Sequence, residues 1–168
     1  MRRRAGVVLI VALMAFGAIE EAAAQPTSPQ EAVPAELMAG ALGGALAGAG
    51  GAYAAIAVCA ADAEGWDALA CIGYGVLAYL VGVPVGSTVG VHIAGAAWGV
   101  DGNTLLSVLG AVGGEVGGLL ITSGLGALQD DPPEAFQVFA FLGLTPFASS
   151  AGATWGFNVS AKMSRDAE

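Results

Sequence analysis

The chain has 168 residues, of which 56% are hydrophobic and 11% charged; its mean hydropathy is +0.73 and its formal net charge is −9. Such an apolar composition is outside the range of soluble globular domains and makes a lipid bilayer the expected environment. No Lys or Arg occurs between Arg4 and Lys162. Because nothing in this long interval can neutralise phosphate groups, nucleic acid is excluded as a partner.

The first 24 residues have the organisation of an export signal. Arg2, Arg3 and Arg4 precede an apolar run over residues 5–19, and Ala22-Ala23-Ala24 supplies an A-x-A cleavage site before Gln25. We therefore predict a signal peptide over 1–24; an uncleaved anchor helix is the alternative. No Cys follows the cleavage site, so attachment of a lipid to the new terminus is not supported.

A polar, Pro-containing stretch over residues 25–34 is predicted to be a flexible lead. The membrane domain is predicted over 35–161 and a polar tail over 162–168. Four apolar segments follow the lead, and each exceeds the roughly 20 residues that a helix needs to cross the hydrocarbon core. They cover residues 37–61, 68–100, 103–128 and 135–161.

The short breaks between the segments have turn chemistry. Asn103 and Asp131 are placed to cap the helices that follow them. Segment two is about 50 Å long as one helix, too long for an untilted crossing, and Pro84 near its middle predicts a kink or a break. The predicted fold is thus an all-α, Gly-rich membrane bundle of about four helices after the signal helix.

The segments differ in their expected strength of insertion. Segment one has few strongly apolar side chains among many glycines and is marginal as a solitary span, whereas the other three are expected to insert. Four crossings would leave Lys162 and Arg165 outside the cytoplasm, against the positive-inside tendency. Three crossings would return them to the cytoplasm, so the number of crossings stays open.

Small residues recur every four positions in all four segments. Residues four apart share one helix face, and a face without side chains lets two backbones approach closely where lipid gives no hydrophobic drive. We therefore predict that these rows pack helix against helix. They comprise Gly40, Gly44 and Gly48; Gly82, Gly86 and Gly90; Gly110, Gly114 and Gly118; and Ala148, Gly152, Gly156 and Ser160.

A small outer-membrane β-barrel is the alternative fold. Valines and Ile93 alternate locally in segment two. However, barrel strands need about ten alternating residues with a polar lumen face, and the other segments have no such face.

Two ionisable residues inside apolar segments are the candidates for chemistry. His92 precedes the Gly102 turn by about ten residues and Glu115 follows it by about thirteen, so a hairpin would bring them to similar depth. An intramembrane Glu–His pair could hold a proton or a cation. The structural interpretation is a protonated Glu that donates one interhelical bond, or a group facing a polar cavity.

Cys59 and Cys71 flank a short acidic loop. In an exported protein the pair suggests a disulfide closing a loop of about 13 residues, worth about 3 kcal/mol in the chain-entropy model. The alternative is two small apolar fillers at helix ends. The thiols, the scattered acids and the distant His match no standard metal-ligand spacing, and we expect neither a metal site nor a cofactor.

The repeated small rows, together with the closing stretch from Pro146 to Ser160, resemble bacterial glycine-zipper envelope proteins, including uncharacterised exported membrane proteins of that kind. The resemblance implies membrane packing and carries no activity. The chain departs from the lipoprotein members because it has no Cys for lipid attachment.

No motif for acyl transfer, phosphate binding or dinucleotide binding is present in the sequence. We therefore expect a non-enzymatic protein exported to a bacterial envelope membrane, the inner membrane more than the outer, with a structural or assembly role. Its expected partners are membrane lipid and a second copy or another membrane protein. The alternative function is a small transporter or pore that uses Glu115 and His92.

Overall fold

A computed structural model describes residues 29–61, 65, 67–127 and 134–165 of the chain. The predicted signal peptide, residues 1–24, and Asp131 lie outside the described residues. Within the described ranges the protein consists of helices and contains no strand, so the all-α prediction is confirmed and the barrel alternative is contradicted for this part of the chain. The four helices are α1 (Pro29–Ala60), α2 (Asp67–Ala97), α3 (Thr104–Ala127) and α4 (Glu134–Arg165).

The predicted segments and the helices differ at their ends. The lead was expected to extend to Pro34, but α1 begins at Pro29 and contains Pro34. A proline this close to a helix start removes few hydrogen bonds, and the burial of Ala32 and Glu36 holds this first part of α1 against the bundle.

The turn between α2 and α3 has defined capping geometry at both sides. Gly99 has a φ of 67°, and the amides of Gly99 and Val100 donate to the carbonyls of Ala96 and Gly95, at 3.1 and 2.8 Å. This is a Schellman motif, which needs a left-handed residue after the helix. Segment two was expected to continue to residue 100, and the motif ends the helix at Ala97 instead.

Asn103 caps α3 as predicted. Its side-chain Oδ1 accepts a hydrogen bond from the amide of Leu106 at 3.2 Å. Farther back, α2 continues through Pro84 as one helix, so the predicted break is absent. The Thr88 hydroxyl donates to the Pro84 carbonyl at 2.8 Å, a bond that commonly accompanies helix bending.

The helices form an up-down-up-down bundle. α1 packs mainly on α2 and α3 mainly on α4, and α4 also contacts α1 and α2. Glycines of α2 meet α1 in antiparallel order: Gly90 lies against Ala39, Gly86 against Gly43 and Gly82 against Ala47. At the end of this helix pair that is farther from the α2–α3 turn, a disulfide joins Cys59 of α1 to Cys71 of α2, with 5.4 Å between their Cα atoms.

The polarity of the bundle is inverted relative to that of a water-soluble protein. Large apolar side chains cover the outside, among them Tyr53, Val58 and Leu120, with exposed fractions of 77%, 76% and 69%. Small and hydroxyl-bearing residues make up much of the inside, which also holds Val83, Val91 and Phe157; Ser87, Ser107, Thr145, Ser149 and Ser150 are fully buried. An apolar exterior of this extent fits a lipid surrounding and not water.

Three helices are long and apolar enough to cross a membrane, judged by length and composition over the described residues. They cover Ala32–Ala60, Leu69–Ala97 and Thr104–Ala127, with mean hydropathies of 1.6, 1.8 and 1.7. Segment one was expected to be the marginal span, yet α1 qualifies and α4 is not among the three. The inward face of α4 carries four hydroxyl-bearing residues, Thr145, Ser149, Ser150 and Thr154.

Candidate functional site

We call the contact line between two packed helices a seam. In the α1–α2 seam the two backbones approach closely at the predicted glycine row of α2. A methyl group added at Gly82 would lie 2.6 Å from the carbonyl oxygen of Ala47, and one at Gly86 would overlap the carbonyl oxygen of Gly43. One at Gly90 would overlap the carbonyl oxygen of Ala39. No residue other than Gly fits these positions without a shift of the helices.

The predicted row on α1 lies on a neighbouring face of the same helix. A methyl group at Gly40 would lie 2.8 Å from Val91 Cγ2 and would overlap the hydroxyl of Ser150, and one at Gly48 would lie 2.6 Å from Val83 Cγ2. Gly44 lies against Ser87 in the same way. The row therefore accommodates side chains of α2 and α4. The backbone approach to α2 is made by Ala39, Gly43, Ala47 and Gly51, together with the Cα atoms of Gly40 and Gly48.

The α3–α4 seam uses the predicted rows of both helices. Gly110 and Gly152 lie against each other's carbonyl groups, Gly114 lies against the carbonyl of Ala148, and Gly156 against that of Leu106. A methyl group at Gly118 would lie 3.0 Å from the Ala148 Cβ. The side chain of Ser160, which ends the predicted α4 row, lies outside the described residues.

Hydroxyl groups bond across the same seams. Ser107 and Ser149 donate to the carbonyls of Ala153 and Ala111, at 3.2 and 3.0 Å, and link α3 to α4. Ser150 donates to the carbonyl of Leu37 at 2.6 Å and links α4 to α1. In lipid, such hydrogen bonds each contribute about 0.6 to 2 kcal/mol to helix association.

His92 and Glu115, which the sequence placed at similar depth, are not brought together. His92 Nε2 lies 3.1 Å from the Thr104 hydroxyl at the start of α3. Glu115 is eleven residues farther along α3, about 16 Å at the helical rise. The hairpin estimate fails because His92 lies opposite the first residue of α3, and α3 packs mainly on α4 rather than on α2.

Glu115 lies at the middle of α3. It is 5% exposed, and its Oε1 has no hydrogen-bond partner. Tyr79 of α2 is near enough to interact with it electrostatically. The Tyr79 hydroxyl donates to the Leu142 carbonyl oxygen at 3.4 Å and lies 3.1 Å from Thr145 Oγ1, whose own proton goes to the Phe141 carbonyl.

A second buried carboxylate, which sequence reasoning missed, lies near the α2–α3 turn. Glu36 of α1 is fully buried, the Asn158 side-chain amide donates to its Oε2, and its Oε1 has no hydrogen-bond partner. A methyl group at Gly95 would lie 3.4 Å from Glu36 Oε1 and 2.6 Å from the Phe157 ring. We call Glu36, His92, Thr154, Phe157 and Asn158 the Glu36 cluster.

His92 belongs to this cluster through its ring. It packs edge-on against Phe157, with 4.8 Å between the ring centroids, and it interacts electrostatically with Glu36. Nδ1 lies 2.8 Å from the Thr88 carbonyl oxygen. Since a carbonyl only accepts, Nδ1 carries a proton, and in the neutral ring Nε2 accepts from Thr104.

The sequence carried a signal for this cluster. Glu36 is one step of four before Gly40 and so continues the row on α1. Ser150, Thr154 and Asn158 form a polar row on α4 with the same spacing. Residues four apart share one helix face. Applied to polar residues as well as to glycines, this spacing predicts that both rows face inward.

Among the described residues, no group of three or more His, Cys, Asp and Glu side chains could hold a metal ion. Comparison with known proteins found no matching family model, no matching curated protein and no matching solved structure.

Proposed function

We propose that the chain is a non-catalytic integral protein of a bacterial envelope membrane, the inner membrane rather than the outer, whose glycine-zipper helices serve a structural or assembly role. The observation that carries the proposal is the inverted polarity of the bundle: exposed Leu, Val and Ile surround an interior rich in Ala, Ser and Thr. An arrangement of this kind buries polar groups away from lipid and presents apolar side chains to it.

Glycine-lined contacts support the packing part of the proposal. Both seams place carbonyl groups where a side chain would otherwise stand, which maximises dispersion contacts and allows weak Cα–H donor bonds between backbones. Helix association in lipid depends on such contacts because the apolar surroundings provide no hydrophobic drive. The proposed partners are membrane lipid and a second copy of the chain.

The test compares bulky substitutions at seam and surface glycines. Gly86→Leu and Gly152→Leu place a bulky side chain in the α1–α2 and α3–α4 seams. Gly73→Leu and Gly117→Leu place one where an added Cβ has no other atom within 4 Å. We expect both seam variants to lose the compact form on size-exclusion chromatography in mild detergent, and both surface variants to keep it. Equal behaviour of the two pairs would contradict the packing role.

A small transporter or pore is the second candidate. It is favoured by two buried carboxylates with unpartnered oxygens, Glu36 and Glu115, on helices of membrane-spanning length. Because His92 and Glu115 do not pair, the path would use the two carboxylates separately. Cation flux into vesicles containing the purified chain tests it: flux must fall in Glu115→Gln and in Glu36→Gln, and flux that survives both substitutions excludes this candidate.

A further inference from the structure

Two exposed tyrosines, one on α1 and one on α2, lie at the same level of the bundle. Tyr53 and Tyr74 are 77% and 59% exposed. Gly51 of α1 lies against the carbonyl group of Ala78 of α2. In this antiparallel pair Tyr53 and Tyr74 therefore differ in depth by two residues, or about 3 Å.

Two tryptophans lie at a second level, near the α2–α3 turn. The contacts of Gly40 with α4 and of Gly90 with α1 define the register of the helices. They place the exposed Trp155 opposite residue 35 of α1, and the partly buried Trp98 four residues farther toward the start of that helix. The two indoles are therefore about 6 Å apart in depth.

The distance between these two levels matches the thickness of a bilayer core. Tyr53 lies 18 residues beyond the level of Trp155 and 22 beyond that of Trp98, which is about 27 to 33 Å at the helical rise. The hydrocarbon core of a typical bilayer is about 30 Å thick. Tyr and Trp, which combine an apolar ring with a polar tip, concentrate at both boundaries of this core.

Other exposed side chains are distributed in agreement with these levels. Phe147, which has no polar tip and is 48% exposed, follows Pro146, and Pro146 lies against Gly44, midway between the levels. The exposed carboxylates Asp67 and Asp101 lie beyond the levels, one at each end of the bundle. Among the side chains that the structure describes, every carboxylate between the levels is buried.

We propose that these aromatic residues form two belts in the two interfaces of a phospholipid bilayer, Tyr53 and Tyr74 at one boundary of the hydrocarbon core and Trp98 and Trp155 at the other. The inference rests on the membrane location proposed above and adds the depth at which the bundle lies. Cys59 is six residues beyond Tyr53, or about 9 Å along the helix. The disulfide therefore lies outside the core, among the headgroups, where water-soluble reagents reach it.

Depth-dependent fluorescence quenching in phospholipid vesicles tests the belts, with lipids brominated either near the carboxyl end of the acyl chain or near its methyl end. Three full-length chains each carry one tryptophan. One retains Trp155 and carries Trp66→Phe and Trp98→Phe; the others carry Tyr53→Trp or Phe147→Trp after all three native tryptophans are replaced by Phe. We expect the shallow bromines to quench the Trp155 chain and the Tyr53→Trp chain more strongly than the deep ones do. Phe147→Trp is the matched mid-depth control and should show the opposite order.

Helix content by circular dichroism and elution volume establish that each variant is folded; Tyr74→Trp replaces Tyr53→Trp if the latter does not fold. The same ratio of shallow to deep quenching in all three chains would overturn the belts and leave the membrane location intact. Stronger deep quenching of the Trp155 chain or of the Tyr53→Trp chain would do the same. Absence of quenching by either lipid in all three chains would contradict the membrane location itself, and the belts with it.

Discussion

Gly113 and Gly114 are adjacent in α3 but have opposite surroundings. A methyl group at Gly113 would meet nothing within 4 Å, whereas one at Gly114 would overlap the carbonyl oxygen of Ala148 in α4. The same residue type therefore has two roles one position apart. At Gly113 it lowers the stability of the helix, since Gly in a helix interior costs roughly 0.5–1 kcal/mol relative to Ala; at Gly114 it permits the seam.

Alanine substitution at these two positions should change stability with opposite signs. We expect Gly113→Ala to raise the free energy of unfolding by about 0.5–1 kcal/mol and Gly114→Ala to lower it by about 1–3 kcal/mol, the usual cost of overpacking. The measurement is the midpoint of unfolding in mild detergent titrated with a denaturing one. A decrease of equal size at both sites would show that the α3–α4 seam does not depend on a bare backbone.

The sequence predicts which residues share a helix face, but not what each of them contacts. Helical spacing identifies the rows, including Gly110, Gly114 and Gly152, because residues four apart share a face. It does not identify the opposing row: Gly40 faces side chains of α2 and α4, while Gly43 faces the α2 backbone. Helical spacing also does not show that Glu36 is buried, because its burial depends on the packing of α4, whose Asn158 donates to the Glu36 carboxylate.

At the scale of elements, α1 and α2 form a hairpin held by a glycine seam along its length and by the Cys59–Cys71 disulfide near its far end. The lengths of α2 and α3 and the Asn103 cap were predictable because apolar run length and turn residues are local properties. The start of α1 at Pro29 was not, because tertiary burial of Ala32 and Glu36 overrides the local preference for a flexible lead.

Removal of the disulfide should destabilise this hairpin. In the chain-entropy model a cross-link closing a loop of about 13 residues contributes about 3 kcal/mol, so we expect Cys59→Ser with Cys71→Ser to lower the free energy of unfolding by up to that amount. The comparison is the unfolding midpoint of this double variant with that of the wild type. A reducing agent should produce a comparable shift in the wild type and none in the double variant, and an unchanged midpoint in both would mean that the seam alone fixes the hairpin.

At the scale of the whole molecule, the distribution of polarity determines the environment. Polar side chains such as Ser87, Thr145 and Ser149 are buried, and Leu120 and Trp155 are each 69% exposed. In water the exposed apolar surface would drive aggregation; in a bilayer it meets acyl chains, and the backbone hydrogen bonds are satisfied within the helices. The membrane prediction followed from composition, but the inverted interior became visible only with the helices assembled.

The most direct test of this account is fluorescence quenching of Trp155 by lipids with brominated acyl chains, in a chain carrying Trp66→Phe and Trp98→Phe and reconstituted into phospholipid vesicles. Because Trp155 lies on the outer face of α4, we predict strong quenching by brominated lipid and little by a water-soluble quencher. Quenching by the water-soluble agent alone, or a chain that stays monomeric in buffer without detergent, would contradict the claim that the exterior of the bundle faces lipid.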